Sequence, residues 1–125
     1  MNTYVLNEKN ITNVMHAAAG IDSISNLVAI YNNNHELFQF VIKTIYNTNN
    51  KNIYAVLAGN NLENEDFLKT IFKMAPCNYE WYIFYVLVHQ HINSHGDDFL
   101  DNLLNITKNE NYRVYLVVLD IKNKL

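Results

Sequence analysis

The sequence predicts an all-α protein, a short stack of helix-turn-helix repeats forming one domain over residues 1–125. Three features predict it. Apolar residues recur at three- and four-residue spacing through most of the chain. Asn clusters and single glycines punctuate those runs at helix-like intervals. The apolar pattern also repeats with a period of about thirty residues, the scale of a helix pair.

Taken in order, TYVL near the N-terminus reads as a short strand or an extended segment that docks. From Glu8 to Ala19, Ile11, Val14, Met15 and Ala18 share one helical face, and Gly20 stops it. Asp22 is the predicted cap of a second helix carrying Ile24, Leu27, Val28 and Tyr31. Asn34 starts a third, striped by Leu37, Phe38, Val41, Ile42 and Ile45. Thr48 to Asn52 is a polar loop, and the apolar run Ile53 to Ala58 ends at Gly59, read as a helix cap. Asn64 caps the next helix, Glu65 and Asp66 suit its positive dipole end, and Pro76 closes it. The longest nearly uncharged run is Tyr79 to Ile92, with the only Trp; Asn78 is its expected cap and Asn93 to Gly96 its terminating turn. Asp97 and Asp98 open a helix with Phe99, Leu100, Leu103 and Ile106, and Lys108 to Asn111 form a loop before YRVYLVVLDI.

Units beginning at Ile24, Ile53 and Ile83 each place an apolar pair, a polar turn, a Phe (Phe38, Phe67, Phe99) and an aliphatic four later (Ile42, Ile71, Leu103). A truncated unit follows from Tyr115. In such an array each unit buries its stripe against its neighbours. With NVMHAAAG, Asn13 to Gly20, this pattern resembles a degenerate ankyrin or related helical repeat, which implies a protein-binding role. The other units lack that signature, and no Gly-rich hairpin precedes each first helix.

The competing fold is α/β with a small parallel sheet. YEWYIFYVLVH and YRVYLVVLDI are rich in Tyr, Val and Ile and apolar on both faces, as buried strands are. IYAVLAG would supply a third strand. Against it, the equivalent first unit, ISNLVAIYNNN, reads as a helix.

Composition narrows the function classes. Half of the residues are hydrophobic and 17% are charged, a globular balance. A net charge of -3 with scattered Lys and Arg argues against nucleic acid as a partner. No window is long and apolar enough for a membrane span, and MNTYVLNEKN lacks a signal-peptide core, so a cytoplasmic location is expected, in the chain's own cell or a host's. The single Cys77 reads as a small half-buried hydrophobe after a helix end.

No catalytic set emerges. Ser23, Ser25 and Ser94 lie outside any nucleophile elbow, and three glycines do not make a phosphate loop. The carboxylates cluster at helix starts, where the dipole accounts for them. His91 and His95 have zinc-compatible spacing if their helix continues, but Asn93 and Ser94 are expected to end it, so no metal and no cofactor is assigned. The expected interaction surface is Trp81, Tyr82, Tyr85 and His89, placed outward if Ile83, Val86 and Leu87 face the core. The functional expectation is a non-enzymatic protein-protein interaction module, an adaptor or host-directed binding protein. Two alternatives stand beside it. One is an α/β ligand or enzyme site where His89, His91 and Asp120 converge, with AGNN, Ala58 to Asn61, facing the ligand. The other is a self-assembling subunit, a homodimer joined through the apolar face of YLVVL.

Overall fold

Asparagine side chains set several of the helix starts in the computed structural model, which describes residues 22–48 and 50–125. The predicted segments TYVL, Glu8 to Ala19 and NVMHAAAG lie outside the described residues. Seven α-helices occur among the described residues: α1 (Asp22–Asn33), α2 (His35–Thr48), α3 (Ile53–Gly59), α4 (Glu65–Met74), α5 (Tyr82–His95), α6 (Leu100–Glu110) and α7 (Tyr112–Asn123). The protein is all-α. The chain divides into two compact units, one ending at Ile53 and one running from Tyr54 to Leu125.

In the first unit α1 packs on α2 across a one-residue junction. Asn34 Oδ1 accepts the Leu37 amide at 3.0 Å, satisfying a donor that the first turn of α2 leaves open. The predicted stripe Leu37, Phe38, Val41, Ile42 and Ile45 is fully buried. Leu27, Ile30 and Tyr31 bury the facing side of α1, and the Tyr31 ring meets Phe38 edge-on at 5.2 Å.

In the second unit the helices alternate. α5 packs on α7, while α4 packs on α6 and α6 on α7. Contacts between every second helix are what stacked helix pairs produce, because each pair buries its stripe on the next. α3 joins the α5 side through Gly59. A Cβ there would lie 2.7 Å from Leu87 Cβ and 3.1 Å from its Cγ, so only glycine fits. Its φ is not positive, and close approach rather than a left-handed cap is its structural role.

The small parallel sheet is overturned: all three suspected strands are helical, and no strand occurs among the described residues. The β-branched and aromatic residues of the two longer segments are accommodated because α5 meets Gly59 of α3, Phe72 of α4 and the side of α7, and α7 meets both α5 and α6. Phe84 and Val88 in α5, and Val114, Val118 and Ile121 in α7, are buried at helical spacing, and most of the remaining apolar positions are half-buried.

Several boundaries move for tertiary reasons. α5 begins at Tyr82 with Trp81 as its N-cap residue, and Asn78 is exposed. It runs on to His95 and ends at Gly96, whose φ of 82° is the left-handed conformation that glycine tolerates. α6 starts at Leu100, three residues after Asp97, and continues to Glu110, so the expected loop before α7 is Asn111 alone. Asn111 Oδ1 accepts the Val114 amide at 3.3 Å, and its Nδ2 donates to the Phe72 carbonyl at 3.0 Å. One side chain thus caps α7 and ties it to the end of α4. No helix among the described residues is long and apolar enough to cross a membrane.

Candidate interaction groove at the start of α5

The Tyr79–Trp81 segment is built inward by its rings. Trp81 sits between Tyr79, Phe72 and Phe84, with centroids at 4.7, 5.8 and 5.6 Å in edge-on geometry. Its side chain is only 5% exposed. Tyr79 is equally enclosed, packs edge-on against Tyr54 at 5.2 Å, and its hydroxyl accepts the Ala55 amide at 3.0 Å. That bond satisfies one of the open donors in the first turn of α3.

The expected outward placement of Trp81 is therefore corrected. Trp81, Phe84 and Val88 form the buried i, i+3, i+7 stripe, and Ile83, Val86 and Leu87 are half-buried at its flanks. Tyr82 projects outward, 72% exposed, and Tyr85 is half-buried.

Above this cluster lies a groove of about 350 Å³. Buried Trp81 and Tyr79 form its floor, Glu80, Tyr82 and Tyr85 one wall, and Arg113, Val117, Asp120 and Lys124 of α7 and the residue after it the other. The α7 wall follows helical geometry, since steps of four, three and four keep these positions on one face. Arg113 donates from Nη1 to the Cys77 carbonyl at 3.1 Å, anchoring the mouth. Lys124 Nζ donates to Asp120 Oδ2 at 3.0 Å, and that bond, with the carboxylate's charge, holds the ammonium above its ordinary pKa. Cys77 itself is exposed, not half-buried, because the Pro76 turn carries it past the end of α4.

The groove brings together three of the four residues expected at an interaction surface: Trp81 as floor, Tyr82 and Tyr85 as wall. His89 is one turn further along α5. It is half-buried against the Tyr85 ring at 4.6 Å, and its enclosed Nε2 has no hydrogen-bond partner among the described residues. Asp120 lines the groove and His89 does not, so the convergence expected in the α/β alternative does not form there. No family model matches the chain, and no curated protein or solved structure matches it either.

Arg113, Val117 and Lys124 escape a reading of the sequence that leaves YRVYLVVLDI undecided between strand and helix. Once the segment is helical, their shared face is evident from spacing alone.

A second concavity, about 590 Å³, is lined by Asn60 to Asp66 and His91. Its asparagines are structural. Asn60 Nδ2 donates to the Val56 carbonyl at 2.8 Å and Asn61 Nδ2 to Leu57 at 2.7 Å, closing the end of α3. Asn64 caps α4 by accepting the Phe67 amide at 3.4 Å. The AGNN segment is thus a helix end and not a loop after a strand. His91 Nε2 lies 3.4 Å from Glu63 Oε2, within ion-pair range but without hydrogen-bond alignment. Because α5 continues, the His95 ring stacks on His91 at 4.4 Å. Among the described residues, no group of three or more His, Cys, Asp or Glu is arranged to hold a metal ion.

Proposed function

We propose that the protein is a non-enzymatic interaction module that takes a segment of a partner protein into the groove between the start of α5 and α7. The observation that carries this is Tyr82, which stands 72% exposed over a floor of buried Trp81. A large aromatic held on a rigid base beside a shallow groove costs little ordering entropy on binding and supplies most of the apolar contact. Exposed tyrosine with a polar tip suits a surface that is wet when free and buried when bound.

The rim chemistry supports recognition over turnover. Arg113 and Lys124 are held by Cys77 and Asp120, and Glu80 is exposed, so the polar groups frame the groove instead of pairing a nucleophile with a base. The balance of two cations and two carboxylates favours a partner segment of mixed charge with an apolar or aromatic anchor. An adaptor role in the cytoplasm, its own or a host's, fits this reading.

The test is to identify proteins that co-purify from cells of the source, purify the candidate partner and measure its affinity directly. Tyr82→Ala is expected to weaken binding at least tenfold, the effect of losing about 1.4 kcal/mol. An affinity unchanged by both Tyr82→Ala and Tyr85→Ala would place the interface elsewhere.

A further inference from the structure

The packed side of α7 is Val114, Val118 and Ile121, all fully buried. On the opposite side, Tyr112, Tyr115, Leu116 and Leu119 fall at i, i+3, i+4 and i+7, the spacing of a second apolar stripe. Tyr112 is 64% exposed and Leu116 48%, while Tyr115 and Leu119 are half-buried beside them. A helix with one stripe in its own core and another facing solvent carries a surface shaped for a second helix. This stripe is separate from the groove, whose α7 residues occupy the intervening flank.

We propose that this outer stripe is the interface of a homodimer, formed by antiparallel two-fold pairing of α7 with α7 of a second copy. The stripe is its own complement. Run antiparallel about its midpoint, it sets Tyr112 opposite Leu119 of the second copy and Tyr115 opposite Leu116, so each large ring meets an aliphatic side chain, twice over. The flank agrees in charge. A perpendicular two-fold keeps each flank on its own side, bringing Arg113 of one copy to within two residues of the level of Asp120 of the other. That offset is about 3 Å along the axis, well inside an arginine's reach. The same contact recurs by symmetry. Arg113 and Asp120 also line the groove, where they engage the Cys77 carbonyl and Lys124, so this flank borders both surfaces. One helix stripe is small beside the roughly 800 Å² per partner of a standard interface, so the dimer is expected to be weak, with a dissociation constant of about micromolar order.

The test is sedimentation equilibrium of the full chain from low to high micromolar concentration, with circular dichroism confirming the helical content of each variant. Leu116→Asp is expected to leave a monomer throughout. Arg113→Asp and Asp120→Arg each put like charges opposite one another twice, and each should weaken the dimer about tenfold. The double variant Arg113→Asp with Asp120→Arg restores complementarity within one chain and should return the wild-type constant. In a Cys77→Ser background, Leu116→Cys should oxidise to a covalent dimer and Asn105→Cys should not; this readout stands even where a charge variant folds poorly. A wild-type monomer at about 200 µM, far above the constant expected of a small interface, would overturn the proposal. So would a dimer indifferent to Leu116→Asp, or a double variant that stays as weak as the single ones.

Discussion

Replacing Gly59 with Ala gives the most discriminating test of how the helices of the second unit meet. By backbone criteria the change is favourable. Gly59 lies within α3 and its φ is not positive, so alanine adopts this conformation and gains up to about 1 kcal/mol of helix propensity. By packing criteria it is unfavourable. The new methyl would sit 2.7 Å from Leu87 Cβ and 3.1 Å from its Cγ. Neither is the free tip of a side chain, so rotamer changes cannot clear the overlap and α3 must move away from α5. Overpacking that displaces backbone costs about 1–3 kcal/mol, and overlap at a Cβ belongs in the upper half of that range. The net expectation is destabilisation by about 1–2 kcal/mol. Urea unfolding followed at 222 nm measures it, and Leu87→Gly, which removes the Cβ that the new methyl would meet, provides the second arm of a double-mutant cycle. In that background the methyl has room, and Gly59→Ala should become neutral or stabilising by up to about 1 kcal/mol. Stabilisation of the wild type, or the same cost in both backgrounds, would refute the close approach of α3 to α5.

Other substitutions separate core from surface in the aromatic segment. Trp81→Ala should cost about 3–5 kcal/mol, while Tyr82→Ala next to it should change stability by no more than about 0.5 kcal/mol; thermal unfolding of both shows which ring is structural. Tyr79→Phe leaves the buried Ala55 amide without the hydroxyl that accepts it, for an expected loss of about 1–3 kcal/mol in urea unfolding. Asn111→Asp keeps the oxygen that caps α7 but removes the donor to the Phe72 carbonyl, whereas Asn111→Ala loses both. Both should destabilise, with Asn111→Ala worse by about 1 kcal/mol, the usual worth of an N-cap.

The parts of the fold legible in the sequence are those set by neighbours along the chain. Asn34 and Asn64 cap α2 and α4 because a capping oxygen needs only the amide three residues on, and the stripe from Leu37 to Ile45 shows its face by spacing alone. What the sequence leaves open depends on partners far away in it. Val, Ile and Tyr on all sides of α5 and α7 read equally as buried strands until neighbouring helices are known to cover more than one face. Trp81 and Tyr82 are adjacent and chemically alike, and only the rings of Phe72, Tyr79 and Phe84 decide that one is floor and the other wall. Asn111 looks like the end of a loop, yet its bond to Phe72, thirty-nine residues earlier, lets α6 and α7 meet with no loop between them. The groove followed the same rule: its α5 wall was marked by aromatic composition, and its α7 wall required knowing that Arg113, Val117 and Asp120 share a helical face.

The most direct test of a protein-binding groove is site-specific photo-crosslinking in cells of the source, with a benzophenone amino acid in place of Tyr82 and, as control, of Asn60. Groove binding predicts a discrete heavier species from position 82, carrying a second protein, that is absent from position 60 and competed by unlabelled wild-type chain. Equal labelling from both positions, or none from position 82 while the protein is folded and abundant, would contradict it.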